Sequence, residues 1–185
     1  MRINGNSRPT SNAIAAKRAG SYPLTSWADV AKRFNYVAEW QPYTGPGAFN
    51  DYDSIEVGNG TNDGLTPVER QTQISLWALG SAPFILGIDL THLDPTDLQK
   101  YLENSEVLAI DQDSIAAKRV LNTGNRQVFA KREPNGDAIV GLFNTGGKAN
   151  EVSVPASAAG LPENESGYSL HDLWTGCLLY TSRCV

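Results

Sequence analysis

Apolar residues recur at helical spacing between positions 27 and 38. Trp27, Val30, Ala31, Phe34, Val37 and Ala38 share one face, which predicts a helix over 26–40. Ser26 stands where an N-cap belongs, and Asp29 three residues on completes an acidic form of the capping box. On this pattern Trp27 and Phe34 are core residues. A second helix is predicted over 66–80: Thr66 caps it, Pro67 takes the first helical position, Glu69 closes the box, and Ile74, Trp77 and Ala78 make the stripe. Asp94-Pro95-Thr96-Asp97 starts a third helix running to about Glu103, and 106–111 form one more short helical segment. The compact apolar run 83–88, bounded by Pro83 and Asp89, reads as a buried strand. Residues 1–20, rich in Asn, Ser, Arg and Ala, read as a loop.

After about Ser114 the pattern changes. Segments 126–133 and 137–145 are short runs rich in Val, Phe and Ile, joined by Pro134-Asn135-Gly136-Asp137, a strong hairpin signal. Val152, Val154, Tyr168, Leu170, Leu173 and Trp174 mark further strands. The fold class is therefore α/β followed by all-β. Helices and strands alternate before Ser114, as in βα units on a parallel sheet, and antiparallel strands follow. With 185 residues the chain is too short for a whole (β/α)8 barrel, which needs about 250.

Composition narrows the function classes. The chain is 41% hydrophobic with a mean hydropathy of −0.32, as expected of a soluble globular protein of one or two small domains. A net charge of −5 without a basic block argues against a nucleic-acid partner. No apolar run reaches the length of a transmembrane helix, and the polar start after Arg2 is unlike a signal peptide. His92 and His171 lie far apart with no Cys or Glu at ligand spacing, so no metal site is expected. Asp111-Gln112-Asp113 lacks the Gly and terminal Glu of a calcium loop, and no lysine follows Gly58-Asn59-Gly60 to make a phosphate loop. The triplets Asn59-Gly60-Thr61 and Asn164-Glu165-Ser166 fit the glycosylation pattern, but so short a pattern is better explained by chance.

Candidate chemistry centres on Gly45-Pro46-Gly47-Ala48-Phe49-Asn50-Asp51-Tyr52-Asp53-Ser54-Ile55-Glu56-Val57-Gly58-Asn59-Gly60. If the segment is extended there, Asp51 and Asp53 point to one face. Spacing alone favours an ordinary Asx-type turn with solvated acids.

This stretch resembles the signature of the α-galactosidase family, glycoside hydrolase family 27. The likeness continues through Ser75-Leu76-Trp77-Ala78, Ser81-Ala82-Pro83-Phe84-Ile85-Leu86-Gly87, Asp89-Leu90 and Val107-Leu108-Ala109-Ile110-Asp111-Gln112-Asp113. It implies that 1–113 are the last βα units of a (β/α)8 TIM barrel and that 114–176 are an antiparallel β-sandwich domain, both incomplete. Segments 49–53 and 83–88 should then run side by side in parallel, with Asp53 at the rim where their C-terminal ends open. Residues 177–185 do not continue the family pattern; Cys-Leu-Leu-Tyr-Thr-Ser resembles a translated sequencing adapter, so the native sequence is expected to stop at Gly176, and Cys177 and Cys184 carry no redox argument.

The resemblance implies a glycosidase that removes terminal α-D-galactose with retention, by two carboxylates about 5–5.5 Å apart and with no cofactor. The family's nucleophile lies on a strand without counterpart here, so the 185 residues alone are expected to be inactive. The family's Arg-x-x-x-Asp falls on Arg2-Ile3-Asn4-Gly5-Asn6, which gives Arg2 as a sugar contact and places Asn6 at the acid/base position. Asn4 and Asn6 read equally well as plain loop asparagines. Asp53 matches a sugar-binding carboxylate. It is followed by Ser54 where the family usually has an apolar residue, which leaves the sugar preference open; Asn50 and Asp51 shape the turn. The implied partner is an α-galactoside oligo- or polysaccharide, not nucleic acid or membrane, and an extracellular location follows from the resemblance only. Two alternatives stand: the same family acting on a β-L-arabinopyranoside or α-N-acetylgalactosaminide, or a β-domain that serves as a non-catalytic carbohydrate-binding or packing module. Alternation of Phe143, Tyr168 and Trp174 favours packing.

Overall fold

The computed structural model describes residues 2–3, 23–163, 167–181 and 183–184. Strand β1 (Arg2–Ile3) pairs in parallel with β2 (Phe49–Asn50), in the register Arg2 to Phe49 and Ile3 to Asn50. Helix α1 (Trp27–Trp40) precedes β2. The Ser26 side chain accepts from the Asp29 amide, and the helix buries Val30, Arg33, Phe34 and Val37. Helix α2 (Pro67–Leu79) follows, with both halves of the Thr66–Glu69 capping box formed. Helix α3 (Pro95–Asp97) is capped by Asp94 and runs into a π-helical turn, Leu98–Leu102; α4 (Ser105–Gln112) is capped by Asn104.

Segments 49–55 and 83–88 are parallel neighbours. The pairing is one bridge at Ile55 and Leu86, two residues past Asp53: the Ile55 amide donates to Ile85 O (2.8 Å) and the Gly87 amide to Ile55 O (2.9 Å). The run 83–88 is thus neither a regular strand nor buried. Ile85 is 40% and Leu86 41% exposed, because among the described residues no strand pairs with its far edge.

The second half is antiparallel. Strands β3 (Lys118–Thr123), β4 (Arg126–Arg132) and β5 (Ala138–Asn144) form one sheet in that order, and β6 (Leu170–Asp172), β7 (Cys177–Thr181) and β8 (Arg183–Cys184) form another. The β4–β5 turn is the expected hairpin, closed by Glu133 N to Asp137 O and with Gly136 at φ 95°. Of the six positions expected to mark further strands only Leu170 lies in one: Val152, Val154 and Tyr168 lie in no strand, and Leu173 and Trp174 sit in the β6–β7 turn. β3 went unrecognised because its Lys-Arg-Val-Leu-Asn-Thr sequence has neither alternation nor an apolar run.

One core joins the halves. Phe34 of α1 meets Phe143 of β5 edge-on at 5.0 Å and Phe129 of β4 at 6.1 Å, all three buried. Half-buried Trp174 stacks edge-on to Tyr101 and donates Nε1–H to Ser75 Oγ (3.0 Å). These two aromatics are packing residues. Tyr168, at 38% exposed, is not.

Candidate functional site

The chain leaves β2 through a tight turn fixed by its own polar side chains. Asn50 is buried and its Nδ2 donates to Trp40 O and to Thr44 Oγ1, both at 2.7 Å, which ties the strand to the end of α1. Asp51 Oδ1 accepts from the Asp53 amide (3.0 Å). This is the Asx turn that spacing favoured. Asp51 and Asp53 therefore do not share one strand face; the first carboxylate holds the turn and the second is turned outward by it.

Asp53 has φ 85°, one of two left-handed non-glycine residues among those described. Such a backbone is uncommon and marks a functional candidate. Its carboxylate meets Arg33 of α1, Nη2 to Oδ2 at 3.1 Å, and stays 19% exposed while the arginine side chain is buried. Next to it, Ser54 Oγ donates to Glu56 Oε1 at 2.6 Å, and Glu56 is buried. Gly87 lies against this pair: a Cβ there would stand 2.5 Å from Glu56 Oε1 and 2.6 Å from Ser54 Oγ. The glycine is what lets the 83–88 segment approach so closely.

β1 puts the Arg2 backbone beside β2, on the strand that leads to this turn. Asn6 lies outside the described residues. Arg33 was missed by sequence reasoning, although a signal existed: it is a charge on the apolar stripe of α1, three residues after Val30 and four before Val37.

The partly exposed Asp53 lines neither of two cavities. One, of about 290 Å³, lies at the opposite end of the parallel segments, between 44–49, 81–83 and the end of α4. Asp111 is buried against it; Gln112 Nε2 donates to its Oδ2 (2.7 Å), Oδ1 has no hydrogen-bond partner, and burial pushes the carboxyl up to about 7. The nearby Lys131 ammonium is engaged by Asp113, Glu133 and Ile110 O. The other, of about 460 Å³, lies between α2 and β5, with Gln71, Ser75, Leu142 and Lys148 in its walls. His92 pairs with Asp89 (2.7 Å) in an exposed turn and His171 lies 3.4 Å from Glu106; among the described residues no cluster of three potential ligands could hold a metal. Asn59 is buried, which disfavours it as a glycosylation acceptor.

Comparison with known proteins agrees with this architecture. Residues 18–113 match the family model described as alpha galactosidase A, and 123–181 match the alpha galactosidase C-terminal beta sandwich domain. The chain is 32% identical over 151 residues to an alpha-galactosidase of Oryza sativa subsp. japonica, covering 80% of this chain and 35% of that protein. It is 34% identical to alpha-galactosidase 2 of Arabidopsis thaliana, covering 80% and 37%. Among solved structures, alpha-galactosidase I of Mortierella vinacea superposes with a TM-score of 0.72 at 29% identity, over 84% of this chain and 39% of that one. A GH27 β-L-arabinopyranosidase of Geobacillus stearothermophilus in complex with arabinose superposes with 0.74 at 26%, over 83% and 37%. The chain spans about a third of the length of its curated relatives. With these two family models matched over most of its length and the fold shared with the solved relatives, the chain belongs to the α-galactosidase family of glycoside hydrolases, family 27, and represents the C-terminal part of that fold.

Proposed function

We propose that these residues are part of an enzyme that hydrolyses terminal α-D-galactosyl groups with retention of configuration. The observation that carries the reading is Asp53: a carboxylate in a strained turn, partly exposed, where β2 opens toward the C-terminal end of the parallel segments. That end is where barrel enzymes keep their sites. An ionised carboxylate accepts a short charge-assisted hydrogen bond from a sugar hydroxyl. Asp53 is accordingly the substrate-binding group, and Arg2, on the neighbouring strand, is a second sugar contact.

Asn6, at the acid/base position, can neither give nor take the proton that a carboxyl would. Positioned proton transfer is worth on the order of 10²–10⁴ in rate. Neither that acid nor the attacking carboxylate is supplied by these 185 residues, so on their own they do not turn over. The test is release of p-nitrophenol from its α-galactoside by the purified 185-residue chain. No turnover is expected, and turnover that is kept by Arg33→Met and abolished by Arg33→Met/Asp53→Asn would overturn the reading.

A second reading, a β-L-arabinopyranosidase, is supported by the likeness to the Geobacillus enzyme. The ratio of kcat/KM for the two p-nitrophenyl glycosides in the full-length enzyme separates them.

A further inference from the structure

Asp53 carries a strained backbone, at φ 85°, of the kind that persists only where the surroundings over-determine it. All four of its polar atoms are engaged. Its amide donates to Asp51 Oδ1 (3.0 Å), its carbonyl accepts from Trp77 Nε1 (3.0 Å), Oδ1 accepts from the Ser54 amide (3.0 Å), and Oδ2 accepts from Arg33 Nη2 (3.1 Å). Three of these hold the main chain or come from the next residue. Among the described residues only Arg33 grips the carboxylate from another element.

Arg33 is itself built into place. It is fully buried on α1, and its guanidinium also donates from Nη1 to Asp29 O (3.1 Å) and from Nε to Tyr52 O (3.4 Å). One rigid fork thus spans the first turn of α1, the residue before Asp53, and the Asp53 carboxylate. A guanidinium keeps this planar geometry and its charge even when desolvated, where lysine offers a single mobile point charge.

We propose that Arg33 is the positioning residue for the sugar-facing carboxylate, holding Asp53 Oδ2 from the buried side so that the exposed part of the group keeps a fixed orientation at the C-terminal end of the parallel segments. This rests on the reading of Asp53 as a substrate-binding group. Arg33 does not touch the sugar. It fixes the one acceptor that does, and it couples the seat of α1 to sugar affinity.

The test uses the full-length enzyme, with D-galactose as probe. The galactose dissociation constant is measured by calorimetry, KM and kcat on the p-nitrophenyl α-galactoside, and folding by circular dichroism. Asp53→Asn alone strands a buried arginine charge, which is strongly destabilising, so Asp53 is probed in the Arg33→Met background. Arg33→Met is expected to weaken galactose binding about tenfold, roughly 1.4 kcal/mol, and to raise KM with kcat nearly unchanged, as for lost uniform binding. Arg33→Lys recovers part of it. A role in folding alone would lower kcat through the active fraction, leave KM in place and give no rescue by lysine; that pattern would overturn the inference. So would Arg33→Met binding within twofold of wild type while Arg33→Met/Asp53→Asn binds tenfold more weakly, a result that leaves the reading of Asp53 standing. A double variant that binds like wild type, or a wild type that does not bind galactose, would overturn both.

Discussion

Asp111 gives the sharpest physical test of how the helical half meets the sheets. Burial at the end of α4 pushes its carboxyl from 3.8 up to about 7, with the Gln112 hydrogen bond and Lys131 only partly opposing. The charged groups acting on it are Asp113 on the same segment and Lys131 of β4, which also pairs with Glu133 just past that strand; the 44–49 and 81–83 walls of the cavity contribute none. A carboxyl whose folded value lies above its unfolded value binds more protons folded than unfolded between the two. Its contribution to stability is therefore complete below about 4 and is lost as pH rises through about 7. A shift of about three units has a ceiling near 4 kcal/mol, and water reaching the cavity mouth reduces that to about 2 kcal/mol. Asp111→Asn keeps the shape and an acceptor for Gln112 but cannot ionise. The variant should match wild type near pH 4 and be more stable by about 2 kcal/mol at pH 8, a rise of about 5 °C in Tm for a chain of this size. Scanning calorimetry at the two pH values reads this directly. An equal difference in Tm at both would refute the reasoning, because it would mean that Asp111 does not change charge between them.

Three further outcomes follow from packing. Arg70 binds Asp63 with Nε (2.6 Å) and Asp97 with Nη1 (3.4 Å), all three buried, so Arg70→Met should cost about 3–5 kcal/mol by thermal unfolding; a loss under 1 kcal/mol would contradict it. Gly87→Ala pushes a methyl group into Glu56 and Ser54 and should cost about 1–3 kcal/mol, and it should also weaken galactose binding in the full-length enzyme, since the displaced pair adjoins Asp53. Thr66→Ala removes a formed capping box and should cost about 0.5–2 kcal/mol, read as a lower urea midpoint with an unchanged slope.

The helices were legible because caps and apolar period are local. Ser26, Thr66 and Asp94 cap where the chain order says they should, and Asn135-Gly136 makes its hairpin. Burial of 83–88 was not legible. An apolar run records that a strand is meant to be covered, but Ile85 and Leu86 have no cover among the described residues. The signature around Asp51 and Asp53 was visible, and the Asx turn that sets its geometry was the reading spacing favoured; the left-handed backbone at Asp53 was not legible. Arg33 needed three dimensions: its partner is twenty residues on, and a lone charge on an apolar stripe is also what a snorkelling surface arginine looks like.

The most direct measurement is a crystal structure of the full-length enzyme with D-galactose bound. A ring hydroxyl within about 2.5–3.0 Å of an Asp53 oxygen, with Arg33 still on the far side of that carboxylate, is the predicted result. Galactose seated away from Asp53, or an Asp53 carboxylate turned wholly onto protein partners in the complex, would contradict the account.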